Sequence, residues 1–257
     1  MKSVIGAIDE MGRAILFLGD ILRTMVYRPN RSHEIFDQIW KVTVQSFATT
    51  GMAGFFVGGI MAVQFSLQMN EFGALGYLGG LATSGTIREV GPLLIAFMLA
   101  GKVGAYTSAE LGTMRVTEQI DAIRCLGADP MQEIVVPRFI AIIVSSFFLL
   151  GLGLMMSIGG GMLVGSIVAG VNFEEYMRHV PTIVAFPSIV AGLIKCFVFA
   201  VILSTICTFK GYNASGGAKG VGISVVNTAV VTMIGIVMTD WLTSFLQEAV
   251  LNWFGVV

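Results

Sequence analysis

Two ionisable side chains stand deep inside apolar stretches of this chain, where charge is expensive. Lys195 is the single charge between Val180 and Phe209, and Asp240 shares Gly220–Val257 with only Glu248. Lys195 comes 15 residues before Lys210, so along a helix it lies roughly 22 Å from that end. Asp240 comes 16 residues after Ser224, or roughly 24 Å by the same rise. Equal depth and opposite sign predict a pair, because an isolated charge inside a membrane is unfavourable by about 3 kcal/mol or more. Glu89, next to Arg88, is placed to join them. Such a pair either fixes the register of the helices that carry it or takes part in proton-linked gating.

A second concentration of polar chemistry is Glu110–Arg138, ELGTMRVTEQIDAIRCLGADPMQEIVVPR, the most charged part of the chain. Thr117 as N-cap, with Ile120, Ile123 and Leu126 at helical spacing, predicts a short amphipathic helix over 117–126, ended by Gly127 and Asp129–Pro130. Two readings fit that helix: a solvated cap on the molecule, or a helix laid into the groove of a partner. Catalytic patterns are missing. The sequence has no GxxxxGK[ST] loop, and Gly216–Gly222 (GGAKGVG) has no strand before it, so it reads as a turn rather than a phosphate cradle. His33 and His179 have no metal-spaced partners. Cys125, Cys196 and Cys207 are too few and too scattered for a zinc site or a disulfide framework. The chain is therefore expected not to be an enzyme, to hold no metal and to carry no cofactor of its own.

The elements that position these residues must be membrane helices. Of 257 residues, 55% are hydrophobic and 12% charged, about half the charge of a soluble domain. Mean hydropathy is +0.85. Thirty-two glycines against six prolines suit helices packed at close range. A net charge of −1 offers nothing to nucleic acid. With about 20 apolar residues per crossing, the gaps between charges predict five spans, at 42–69, 87–108, 139–168, 183–208 and 222–251. Phe72–Ile87 contains five glycines and is short for a span; it reads as a membrane-exit loop or short helix.

Residues 1–30 are neither a span nor a signal peptide. Val4, Ile8, Met11, Ile15, Leu18, Leu22 and Met25 alternate steps of four and three, and Ile5, Ala14, Phe17 and Ile21 widen the stripe. Asp9, Arg13, Asp20 and Arg23 interrupt any signal-like core. This pattern predicts an amphipathic helix in the cytoplasmic interface; a short coiled coil is the alternative. With the N-terminus inside, the inner side receives Lys2, Arg13, Arg23, Arg28, Arg31, Lys41, Lys102, Arg115, Arg124, Arg138, Lys210 and Lys219. The outer side receives Arg88 and Arg178. Twelve against two predicts N-in and C-out. Five spans do not divide into inverted halves, whereas a homodimer supplies ten around a two-fold axis. GxxxG spacings at Gly54/Gly58, Gly76/Gly80 and Gly161/Gly165 offer close helix contacts. No repeat or second domain is visible, so 1–257 reads as one all-α integral membrane domain.

Three runs carry a resemblance: GTIREVGPLLIAFMLAGKVGAYTSAELGTMRVTEQIDAIRCLGADP, FVFAVILSTICTFKGYNASGGAKGVG and TDWLTSFL. Over about residues 30–250 the chain resembles the MlaE/YrbE family, permease subunits of lipid-transporting ABC systems. It departs at Lys102, where the family usually has Arg, so charge is kept without the planar fork, and at Cys125, often a larger residue. The resemblance implies a homodimer in the bacterial inner membrane and a separate cytoplasmic ABC ATPase that binds ATP and docks on helix 117–126. It also implies a periplasmic MCE-domain protein and, in Mla systems, a STAS-domain protein bound to the ATPase. The cargo implied is phospholipid, moved between the inner membrane and the MCE path in support of outer-membrane lipid asymmetry. Matching positions for ATPase coupling are Glu110, Arg115, Glu118, Gln119, Asp121 and Arg124. The implied lipid cavity is lined by Met61, Phe65, Gln68, Met69, Phe72, Arg88 and Val90, where flexible Met and Phe suit variable acyl tails and Arg88 suits a phosphate. Two other classes compete: an ion-coupled secondary carrier using Lys195, Asp240 and Glu89 as a relay, and a membrane-embedded lipid enzyme, for which no cluster of acids or histidines is available.

Overall fold

In hydrocarbon every backbone N–H and C=O must find its partner within the protein, and a helix does this inside one segment. The computed structural model describes residues 2–27 and 32–253, and all regular structure among them is helical. Arg28 and Arg31, and the side chains of Lys2, Val4, Ile5 and Ile8, lie outside the described residues. The helices are α1 (Lys2–Tyr27), α2 (Ser32–Glu71), α3 (Leu75–Val116), α4 (Gln119–Cys125), α5 (Met131–Val168), α6 (Phe173–Arg178), α7 (Val180–Ile183), α8 (Phe186–Tyr212) and α9 (Gly217–Trp253). Among the described residues α2, α3, α5, α8 and α9 are long and apolar enough to cross a membrane. This is a multi-pass membrane protein.

The helices outrun the apolar stretches. Helix α2 starts at Ser32, ten residues before the first span expected from hydropathy, because the polar turns up to Lys41 keep their hydrogen bonds in water as well as in lipid. The glycine-rich run after Phe72 folds as a tight turn, Leu75–Tyr77, and a short helix, Leu78–Gly85, that continues into the second span. The join at Thr86–Val90 is a π-turn, with the Gly91 N–H donating to the Thr86 carbonyl. Pro92 explains it: without an N–H it leaves the Arg88 carbonyl unserved, and the helix widens there. A like turn at Met131–Val135 precedes Pro137.

The chain divides into two compact units. In the first (Met1–Val42, Leu99–Ser145 and Ala200–Ile236), Phe17 and Ile21 of α1 are buried with Val135, Val136, Phe139 and Phe209. Met11, Ile15, Leu22 and Val26 remain exposed on the same helix. The stripe is wide because its apolar residues divide between a face packed on the protein and a face left open. The first unit also holds a polar seam in which Thr228 Oγ1 lies 2.9 Å from Ser108 Oγ and Ser224 Oγ donates to the Lys210 carbonyl at 2.9 Å.

In the second unit (Thr43–Met98, Ser146–Phe199 and Val237–Val257), α2 crosses α5 through glycines. A side chain at Gly54 or Gly58 would run into the backbone of Gly153 or Ser157. Small residues at this crossing let the two backbones touch, which is how helices gain packing energy in lipid. Tyr176 of α6 is buried with Leu78 and Val171, and this burial pushes its phenol pKa up. Gly58→Leu should therefore destabilise the protein by about 3 kcal/mol, read as a lowered unfolding midpoint in detergent. Gly151→Ala, where an added methyl meets nothing within 4 Å, should leave the midpoint unchanged.

Candidate functional site

In the second unit, α8 carries Lys195 with a side chain 0% exposed. Its ammonium has three protons and no exposed surface, and three acceptors meet them. Asp240 Oδ1 lies at 3.1 Å, Ser244 Oγ at 2.7 Å, and the third is the Glu89 carboxylate. Asp240 and Ser244 are one turn apart on α9, and Ser244 Oγ donates to the Asp240 carbonyl at 2.8 Å. Ser244 Oγ is also 3.3 Å from Glu89 Oε2. The two carboxylates are more open than the ammonium between them, 48% exposed at Glu89 and 20% at Asp240.

Local structure aims these groups. Glu89 lies in the π-turn that Pro92 induces, so its direction departs from that of a regular helix. Gly192, one turn before Lys195, lets α8 approach closely: any side chain there would strike the Ile87 carbonyl. Gln247 Nε2 donates to the Ala191 carbonyl at 3.1 Å and ties α9 to α8 beside the cluster. Sequence reasoning placed Lys195, Asp240 and Glu89 but missed Ser244, Gly192 and the π-turn. Ser244 was readable as the residue four after Asp240 on one helix face, and Pro92 within a span was the signal for the π-turn.

The positions assigned to a lipid path lie mostly at the surface of the second unit. Gln68, Phe72 and Arg88 are exposed, and Met61, Phe65, Met69 and Val90 are half-buried. Met61 and Phe65 lie over Gly85, where a Cβ would stand 3.2 Å from Met61 Cε and 3.5 Å from the Phe65 ring. The nearby pocket lined by Gly54, Val57, Thr86, Gly91 and Ser157 holds about 10 Å³, the size of one water.

The polar segment of the first unit differs in one detail from its expected start. Thr117 does not cap α4. It closes α3, its hydroxyl donating back to the Thr113 carbonyl at 2.8 Å, a bond that Thr makes readily at a helix end. Glu118, at φ +60, then breaks the chain direction before α4 begins, a left-handed geometry that costs a non-glycine residue about 1 kcal/mol. Gly127, at φ +79, ends the helix. Ile120 is buried with Leu111 and Ile134, and Ile123 packs beside them.

Five of the six coupling candidates are engaged within the unit, Gln119 through its Nε2 donating to Thr117 Oγ1 at 3.0 Å. Arg115 Nη1 donates to both Asp121 oxygens at 2.8 and 3.0 Å, and Arg124 bonds Asp121 at 3.4 Å and the Tyr212 hydroxyl at 2.6 Å. Glu110 pairs with Arg138 at 3.2 Å and Lys41 at 3.7 Å. Glu118 and Gln119 are exposed, and Leu126, an apolar side chain 85% exposed, stands at the end of the same element. The arrangement is a rigidly seated helix presenting a mixed polar and apolar tip. Among the described residues no group of three His, Cys, Asp or Glu side chains is placed to hold a metal ion.

A profile of the family described as Permease MlaE matches residues 35–246. A "Probable ABC transporter permease protein" of Synechocystis sp. is 34% identical over 220 residues, covering 86% of this chain and 83% of that one. A protein of the same description in Rickettsia felis is 32% identical over 241 residues, covering 94% and 93%. The "Intermembrane phospholipid transport system permease protein MlaE" of Haemophilus influenzae is 29% identical over 245 residues, again covering 94% and 93%.

The geometry at Lys195 makes an unequal prediction. Lys195→Met takes the shared cation from two partly exposed carboxylates and should cost about 2 kcal/mol, the loss of its charge-assisted hydrogen bonds. Asp240→Asn leaves Glu89 and Ser244 on the ammonium and should cost less than half of that. Unfolding of the two purified variants in detergent measures the difference, and equal losses would mean that Glu89 contributes nothing.

Proposed function

Because the chain belongs to the MlaE permease family, we propose that it is the membrane subunit of an ABC transporter that carries phospholipid, working as a homodimer with a separate ATPase. The observation that carries this reading is α4, seated on the first unit by Ile120 and the Arg115–Asp121 pair while Glu118, Gln119 and Leu126 face outward. A helix fixed on one side and open on the other can receive a push and pass it on. ATP binds and is split in the partner, and this chain supplies the path. Among the described residues Gly217–Ala249 is the span least covered by the rest of the chain, which supports a second copy packed along α9.

The twelve inner cations against two outer ones orient the chain N-in and C-out in a bacterial inner membrane. The ATPase, with its STAS-domain companion, then lies on the cytoplasmic side at α4. An MCE-domain protein lies on the periplasmic side and passes phospholipid along a route that supports outer-membrane lipid asymmetry. Met61, Phe65, Gln68, Met69, Phe72 and Val90 offer the acyl chains an adaptable apolar lining. Arg88, exposed beside the Lys195 cluster's Glu89, meets the phosphate with a two-pronged guanidinium.

Photo-crosslinkers test this directly. At Met61, Met69 or Phe72 they should capture phospholipid in working membranes, and at Leu126 they should capture protein. Arg88→Glu should reduce lipid transfer about ten-fold, the loss of one charge-assisted hydrogen bond, while Arg88→Lys retains part of it. Normal transfer by Arg88→Glu with no lipid captured at the three positions would put the cavity elsewhere. Leu126→Asp should leave the unfolding free energy within about 0.5 kcal/mol of its starting value yet lower the amount of ATPase that co-purifies. Full retention of ATPase would remove α4 as the docking element.

A further inference from the structure

Tyr212, the last residue of α8, packs against two clusters of the first unit at once. Its ring lies 5.7 Å from Phe17 of α1, tilted by 47°. It also packs against Leu111, Ile120 and Ile134, the residues that seat α4. Its hydroxyl accepts a hydrogen bond from Arg124 Nη2 of α4 at 2.6 Å. The neighbouring turn of α8 holds α1 as well: Phe209 meets Phe17 edge-on at 5.6 Å, and Lys210 is ion-paired with Glu10. Glu10 and Phe17 are two turns apart on one face of α1, so the end of α8 grips that helix along its length.

Packing alone does not require the phenol oxygen. A phenylalanine would fill the same space between Phe17 and Ile120, and α4 is already fixed by Ile120 and the two-pronged Arg115–Asp121 pair. What the hydroxyl adds is a short, directional bond to a side chain of α4 that is half exposed to solvent. That bond makes the α1-facing ring respond to the position of α4.

We propose that Tyr212 is a positioning residue that hands the movement of α4 to α1. When a nucleotide-driven partner displaces α4, Arg124 draws the phenol with it, and the face of α1 bearing Glu10 and Phe17 follows. The apolar residues on the open face of α1, Met11 and Ile15 among them, then shift in the membrane surface. This inference rests on the reading that α4 docks an ATPase.

The test uses the complete complex in lipid nanodiscs, with Cys125→Ser to remove the exposed native thiol, accepted as parent only when it binds the ATPase as the unaltered chain does, and spin labels at Leu16 of α1 and Val226 of α9. In the parent complex the distance between the labels should change between the nucleotide-free and ATP-trapped states. Tyr212→Phe keeps the ring contacts, the Arg124 guanidinium 6.0 Å over the ring included, and loses only the hydrogen bond; it should markedly reduce that change and lower lipid transfer about five-fold, while ATPase binding and hydrolysis persist. Arg124→Gln removes the same bond from the other side and should likewise suppress the nucleotide-dependent distance change, read in those complexes that retain the ATPase. An unaltered nucleotide-dependent distance in Tyr212→Phe, or none in the parent complex with ATPase bound, overturns the proposal alone. A parent chain that binds no ATPase overturns the functional reading beneath it.

Discussion

An ammonium group without access to water must find an acceptor for each of its protons, and Lys195 sets that condition for three helices. Glu89, Asp240 and Ser244 meet it from α3 and α9. To do so, α3 opens a π-turn, α8 places Gly192 against the Ile87 carbonyl, and α9 turns Asp240 and Ser244 to the same side. Replacing the cluster by apolar side chains of equal volume would be near neutral for stability in many proteins. Removing the ammonium that both carboxylates share is the costly change. The cluster therefore specifies rotation and register within the second unit more than it adds to stability.

The first unit follows a different logic. Its helices are joined by charged and aromatic side chains at their ends, where water and headgroups compete and each exposed pair contributes about 1 kcal/mol or less. Arg115, Asp121, Arg124 and Tyr212 form a chain of contacts, as do Lys41, Glu110 and Arg138. Such linkages are directional and can break and reform, unlike the close glycine crossing of α2 with α5.

Much of this was readable from charge spacing. The apolar gaps yielded the five crossings, and depth arithmetic put Lys195 and Asp240 at one level, where the structure sets them 3.1 Å apart. Helix ends were not readable, because hydropathy marks where lipid stops and a hydrogen-bond ladder continues beyond it. The glycine-rich run at 72–87 looked like a loop because glycine disfavours helices in water, yet Gly79 and Gly80 are buried in the structure, where small residues allow close packing. Thr117 looked like a cap since the sequence pattern cannot tell a hydroxyl that starts a helix from one that ends its predecessor. The bond from Arg124 to Tyr212 spans 88 residues and leaves no local pattern at all.

Energy source separates the account from its nearest competitor. The chain, purified from its own membrane with whatever remains bound and placed in vesicles, can be supplied either with ATP or with a pH gradient while the movement of labelled phospholipid is followed. Transfer should need ATP hydrolysis and a co-purified ATPase, and a pH gradient alone should not drive it. Transfer by the isolated chain on a pH gradient without nucleotide would contradict the ATP-driven reading and would make Lys195, Asp240 and Glu89 the relay of an ion-coupled carrier.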